Sequence, residues 1–263
     1  MSLGTAPLST APAAGCLLPF PLDAHVSSPL SNVDTLLGMA TTLWPIMHRL
    51  SNLLSLKQEL EKAARTGQGS NKVALLKTEF ETTSHAIETA LTQWQPCLPT
   101  NTCVGDDGTI QGGGTDVSDR SRLQSILSNA MAYRHSAFVY LYRTIYGCGP
   151  GHGPVQKHAH AALHHCVETT THGGPMGALL WPLFVAACEA MDPGDRALAE
   201  RAFAEIEKRQ GMTNIEQAWN VVREVWTRLD LATADSDADA DVATPPDLWR
   251  SISADMGVNI VFG

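Results

Sequence analysis

The stretch Met176–Cys188 is the longest near-continuous apolar run in the chain, 13 residues including Pro182. A helix needs about 20 such residues to cross a membrane, so this run is too short to span one. Read on to Met191, it is apolar on every face. A helix without a polar face has to be wrapped by other elements. This segment therefore belongs at the centre of the fold.

The rest of the chain supplies the wrapping. Leu36, Leu37, Ala40, Leu43, Trp44, Met47, Leu50, Leu53 and Leu54 recur at i, i+3, i+4 spacing. Asp34 suits the cap of that helix, and Gly67 and Gly69 mark its end. A second stripe, Val73, Leu76, Phe80, Ser84, Ile87 and Leu91, predicts a helix from Asn71 to Trp94, stopped by Pro96. Residues 97–118 lose all period and hold five glycines between Gly105 and Gly114, which predicts a solvent loop. Ser118 or Asp119 then caps a helix to Ile145 with Leu123, Leu127, Ala130, Phe138 and Leu141 inward. CGPGHGP (148–154) is a hard break, followed by a helix of small residues and histidines, Val155–Thr170. Gly173, Gly174 and Pro175 break the chain again, with Pro175 suited to the first turn of the central helix.

Asp192-Pro193 is a start signal, and Gly211 suits the end of the helix it opens. Thr213 and Glu216 have capping-box spacing ahead of Ile215, Trp219, Val222, Val225, Trp226 and Leu229. Pro245-Pro246-Asp247 opens a short helix to Met256, and Val258–Phe262 is an apolar tail. Seven or eight helices and no convincing strand make the fold class all-α, a multi-helix bundle. Residues 1–31, rich in Ala, Pro, Ser and Leu, read as a disordered lead-in or linker, leaving 32–263 as one domain. Within it, 232–244 reads as an acidic linker, with Asp235, Asp237, Asp239 and Asp241 alternating with small residues.

The chain carries 18 Lys+Arg against 27 Asp+Glu, a net charge of −9. That balance disfavours a surface wrapping a nucleic-acid backbone or an anionic membrane. No Lys or Arg occurs in residues 1–30, so the basic start of a secretory signal is missing. The reading is a soluble intracellular chain with reduced thiols.

Six cysteines, at 16, 97, 103, 148, 166 and 188, contain no C-x-x-C pair of the kind a structural zinc site uses. His160 and His164 share a helix face, and Glu168 follows four residues later, a spacing that suits a metal. Such matches more often mark packing or surface groups. G-x-S-x-G, phosphate-loop and dinucleotide motifs are absent, so no catalytic residue is assigned. Two Trp-Pro pairs, Trp44-Pro45 and Trp181-Pro182, fall inside helical patterns and predict kinks beside a bulky indole. A kink there would border a ligand pocket, or merely bend the helix around the core. Trp249, beside Leu248 and Ile252, is a further candidate contact for a partner.

Six blocks together resemble one family: NVDTLLGMATTLWPIMHRLSNL (32–53), ETALTQWQP (88–96), AYRHSAFVYLYRTIYG (132–147), GPMGALLWPLFVAACEAMDPGDRALAERAF (174–203), GMTNIEQAWNVVREVWTRLD (211–230) and LWRSISADMG (248–257). In this order they are similar to the fungal-specific transcription factor domain, the helical regulatory region that follows the DNA-binding module in zinc-cluster regulators. The resemblance implies a regulatory role in transcription by RNA polymerase II, a nuclear location, no enzymatic activity, and partners among other transcription-regulatory proteins or a second copy of the chain. It also implies that DNA is contacted only through an N-terminal module with two C-x2-C-x6-C halves. No such spacing occurs here, so neither zinc ligands nor any other cofactor is assigned to this chain. Two alternatives stand beside it: a helical metal-dependent enzyme using His160, His164 and Glu168, and a small-molecule-sensing domain with a pocket beside Trp181.

Overall fold

Helix starts and stops in this chain follow prolines and glycines more closely than they follow apolar spacing. A computed structural model describes residues 33–34, 37–67, 69–106, 108–112, 116–172, 178–235 and 248–260. Eight α-helices form among them: α1 (Trp44–Arg65), α2 (Ser70–Gln93), α3 (Val117–Tyr140), α4 (Gly153–Thr171), α5 (Leu180–Cys188), α6 (Pro193–Gln210), α7 (Thr213–Asp235) and α8 (Leu248–Asp255). The fold is all-α. No helix among the described residues is long and apolar enough to cross a membrane. The expected lead-in, Pro175 and most of the expected acidic linker lie outside the described residues.

The first helix begins nine residues later than a cap at Asp34 suggests. Asp34 does cap, with its Oδ1 accepting from Leu37 N at 2.7 Å. But Gly38, at φ +56°, closes that turn, and a Cβ there would stand 2.8 Å from Ile126 Cγ2. Short i+3 bonds carry the chain on to Leu43. Pro45 then sits in the first turn of α1, and Pro182 in the first turn of α5. A first-turn N–H has no intrahelical acceptor, so proline costs nothing there. Neither proline kinks a helix; each sets a start. The central run is accordingly shorter than expected, since α5 begins at Leu180.

The segment expected to be wholly irregular holds a small hairpin, β1 (Thr102–Val104) antiparallel to β2 (Ile110–Gly112). Gln124 on α3 pins it: its Oε1 accepts from Ile110 N at 2.9 Å, and its Nε2 donates to the Gly108 carbonyl at 3.2 Å. Asp116, rather than Ser118 or Asp119, caps α3. After Tyr140, α3 widens into a π turn over Leu141–Ile145. Asp192 caps α6 through Gly194 N at 2.7 Å, and Gly211 ends it at φ +55°. The last helix to continue past its expected limit is α7, which runs to Asp235.

Two apolar cores result. One lies among α1, α2, the inner face of α3 and the π turn, with Leu43, Leu50, Leu91, Leu123 and Leu141 fully buried. The other lies among α4 to α8, with α5 at its centre as the all-round apolar run requires. The central helix α3 borders both, sending Tyr133 and Phe138 to the first and Ala132 and Val139 to the second. Trp181, Val185 and Tyr142 pack against both cores.

Candidate functional site

The two Trp-Pro pairs, 137 residues apart in sequence (181 − 44), converge on one tyrosine. Trp44 at the start of α1 lies 5.2 Å from the Tyr133 ring, tilted by 58°. Trp181 in the first turn of α5 stacks on Tyr133 at 5.5 Å and 17°. Each indole is placed by its helix start, and Tyr133 is held between them by α3. Both indoles remain partly exposed, whereas Tyr133 is buried and its hydroxyl is pushed well above the usual tyrosine range by that burial. The Trp44 Nε1 donor is buried and meets no acceptor among the described residues. One turn along α1, His48 Nδ1 is likewise buried without a partner, while its Nε2 meets Asn52 at 3.0 Å.

Trp249 does not join them. It stands edge-on to Phe184 at 5.9 Å, with Arg250 over its own ring at 4.6 Å. A groove of about 260 Å3 between α1 and α2 is lined by Pro45, Ile46, Arg49 and Ile87.

The histidine stripe divides between two neighbours. His160 Nδ1 meets Asp195 Oδ1 of α6 at 2.6 Å, and His164 lies beside it, ring to ring at 4.5 Å. Glu168 turns to α3 instead. Its Oε2 accepts from Ser128 at 2.8 Å and its Oε1 from Gln124 at 3.0 Å. His165 approaches it at 3.5 Å and is the first cause holding its carboxyl below the usual range. So the residues of the expected metal set serve different partners. Among the described residues no three His, Cys, Asp or Glu side chains form a group that could hold a metal ion.

The histidines that do meet are His135 of α3 and His158 and His165 of α4. His135 Nδ1 and His158 Nδ1 are 2.8 Å apart, and the His135 and His165 rings stack at 5.7 Å. His158 also stacks on Phe138 at 4.2 Å. A bond between two Nδ1 atoms requires one ring to donate and the other to accept, so a doubly protonated pair cannot make it. Burial, then His158, His165, Arg134 and Lys157, holds His135 down to about 3. Burial, then Lys157 and Arg134, holds His158 down to about 4. The sequence signal for this pairing is the i, i+7 spacing of His158 and His165, two turns on one face.

A buried ion pair joins the two cores. Arg143, in the π turn, donates from Nε to Glu189 Oε2 at 2.7 Å and from Nη1 to the Cys148 carbonyl. Both residues are buried. π turns frequently occur at functional sites. Nothing in the local sequence links positions 46 residues apart.

The sequence model of the fungal specific transcription factor domain matches residues 14–263. No curated protein and no solved structure matches the chain.

Proposed function

The chain belongs to the fungal-specific transcription factor domain family, and from that premise we propose that it is the regulatory region of a zinc-cluster-type factor acting on transcription by RNA polymerase II. Membership gives the chain a regulatory role in transcription and points to the nucleus. The finer reading is that it works without catalysis and without a cofactor of its own. It engages other transcription-regulatory proteins or a second copy, and it leaves DNA recognition and zinc binding to a separate module. The match across residues 14–263 carries this reading. The acidic balance and the absence of cluster spacing among the six cysteines agree with it. Tethering the chain to an unrelated DNA-binding domain should change transcription of a reporter at least severalfold. An unchanged reporter, or sequence-specific binding of duplex DNA by the chain alone in a salt-resistant gel shift, would count against it.

The orphaned Trp44 Nε1 favours a second reading, in which the Trp44–Tyr133–Trp181 junction senses a small planar molecule carrying an acceptor. A screen of planar compounds by thermal shift should then find ligands whose effect disappears in Trp181→Ala. The metal-enzyme alternative is not carried forward, because Asp195 engages His160 while Ser128 and Gln124 engage Glu168.

A further inference from the structure

Between α1 and α2 lies a hollow that neither helix fills. The groove of about 260 Å3 takes Pro45, Ile46 and Arg49 from α1 and Ala86, Ile87 and Ala90 from α2. Ala86 and Ala90, one turn apart, leave the room, and Pro45, Ile46 and Ile87 keep the wall apolar. A hollow of about 150 Å3 already accommodates a benzene ring. Arg49 is the one charged residue in the lining. It is exposed and meets no carboxylate among the described residues. The groove therefore suits an apolar, ring-sized side chain with an anion a short distance along the same segment.

The chain carries such a segment. Asp23 is the only Asp, Glu, Lys or Arg in residues 1–33, and it directly follows the apolar stretch Gly15–Leu22, GCLLPFPL. Pro19 and Pro21 each fix φ near about −65° and remove an N–H donor. That sequence favours the polyproline conformation, which needs no hydrogen-bonded neighbour and repeats every three residues. Leu17, Phe20 and Asp23 then share one edge, with Phe20 about 9 Å from Asp23. Val33, the first described residue, packs against the core formed by α1, α2 and α3. The chain from Asp23 to Val33 reaches at most about 35 Å, and α1 in its entirety is only about 33 Å long. The family match begins at residue 14, so this stretch belongs to the domain's own sequence.

We propose that the groove between α1 and α2 is the seat of the chain's own N-terminal segment Leu17–Asp23, with Phe20 on the apolar floor and Asp23 paired with Arg49. Phe20 supplies the buried area that holds the segment. The exposed ion pair adds little energy and instead selects the register. Once seated, the segment directs anything attached ahead of residue 14 away from the face of α1 and α2. The inference goes beyond the function proposed above, which does not depend on it, so its failure leaves the reporter experiment standing.

The test uses the full chain with Phe20 replaced by the photo-crosslinker benzoylphenylalanine. Irradiation should link position 20 to residues 45–49 or 86–90 of the same molecule, read by peptide mapping of the monomer. Ala86→Glu, which fills the groove, should remove that link. Arg49→Glu should lower its yield at least threefold, and Asp23→Arg added to Arg49→Glu should restore it. Ala86 and Arg49 are both exposed, so the fold survives either change. A link to other elements, no link at all, or a yield indifferent to both substitutions would overturn the proposal. So would a link that forms only between two molecules, which makes a second copy the occupant.

Discussion

Among the described residues, three of the 20 buried apolar side chains in the core under α1, α2 and α3 are alanines; of the 28 in the core between α4 and α8, nine are. The first core is filled mainly by large side chains, Leu, Met, Trp, Tyr and Phe. The second is filled by backbones brought close together. Alanine faces such as Ala159, Ala162, Ala199 and Ala202 let α4 and α6 approach. Buried serines do the same for α3: Ser125 donates to the Thr169 carbonyl at 2.9 Å and Ser136 to the Pro182 carbonyl at 2.8 Å. The two cores should therefore fail in opposite ways. One is sensitive to lost volume, the other to added volume.

The largest expected effect tests the joint between them. Glu189→Ala leaves the Arg143 guanidinium buried without its carboxylate, which should cost about 3–5 kcal/mol, read by urea unfolding. Next comes the contrast itself. Leu91→Ala in the first core should cost about 2–5 kcal/mol, and Ala162→Leu in the second about 1–3 kcal/mol. If Ala162→Leu proves neutral, the second core is looser than its alanines imply and the comparison breaks.

Acid should act through the α3–α4 seam. His135 and His158 start from an ordinary value of 6.5 and are held down to about 3 and about 4 in the fold. Between those limits the unfolded chain takes protons that the folded chain refuses, so stability falls as pH drops from about 6.5. Around the pair, Arg134 and Lys157 push the same way, while Glu168 faces His165. Melting temperature should decline from pH 7 to pH 4, and His135→Gln should flatten that decline. The smallest effect belongs to a cap outside both cores: Asp192→Ala should cost about 1 kcal/mol and leave the contrast untouched.

Most helices were legible because apolar period and punctuation agree, as at Asp192-Pro193 and Gly211. The start of α1 was not, because Asp34 is a sound cap whose helix Gly38 prevents. The hairpin was hidden because its anchor, Gln124, lies on another element. At the candidate site, Trp44 and Trp181 stood out as residues, but their meeting at Tyr133 depends on how α1 and α5 dock on α3. The i, i+4 histidines share a face at a spacing that chelation also uses. Which face of α4 meets α3 was set by the alanines and serines around it, and that face carries His158 and His165. The Arg143–Glu189 pair left no local trace at all.

The shared position of α3 has a consequence for anyone who cuts the chain. Dividing it between residues 112 and 116 does not yield two folding halves. The N-terminal piece keeps α1 and α2 but loses the wall formed by Leu123, Leu127 and Phe138. The C-terminal piece keeps α3 with that same row facing water. Each fragment is the missing half of the other's interior, so the pair is suited to complementation. Mixed together, they should rebuild the bundle, and either alone should aggregate.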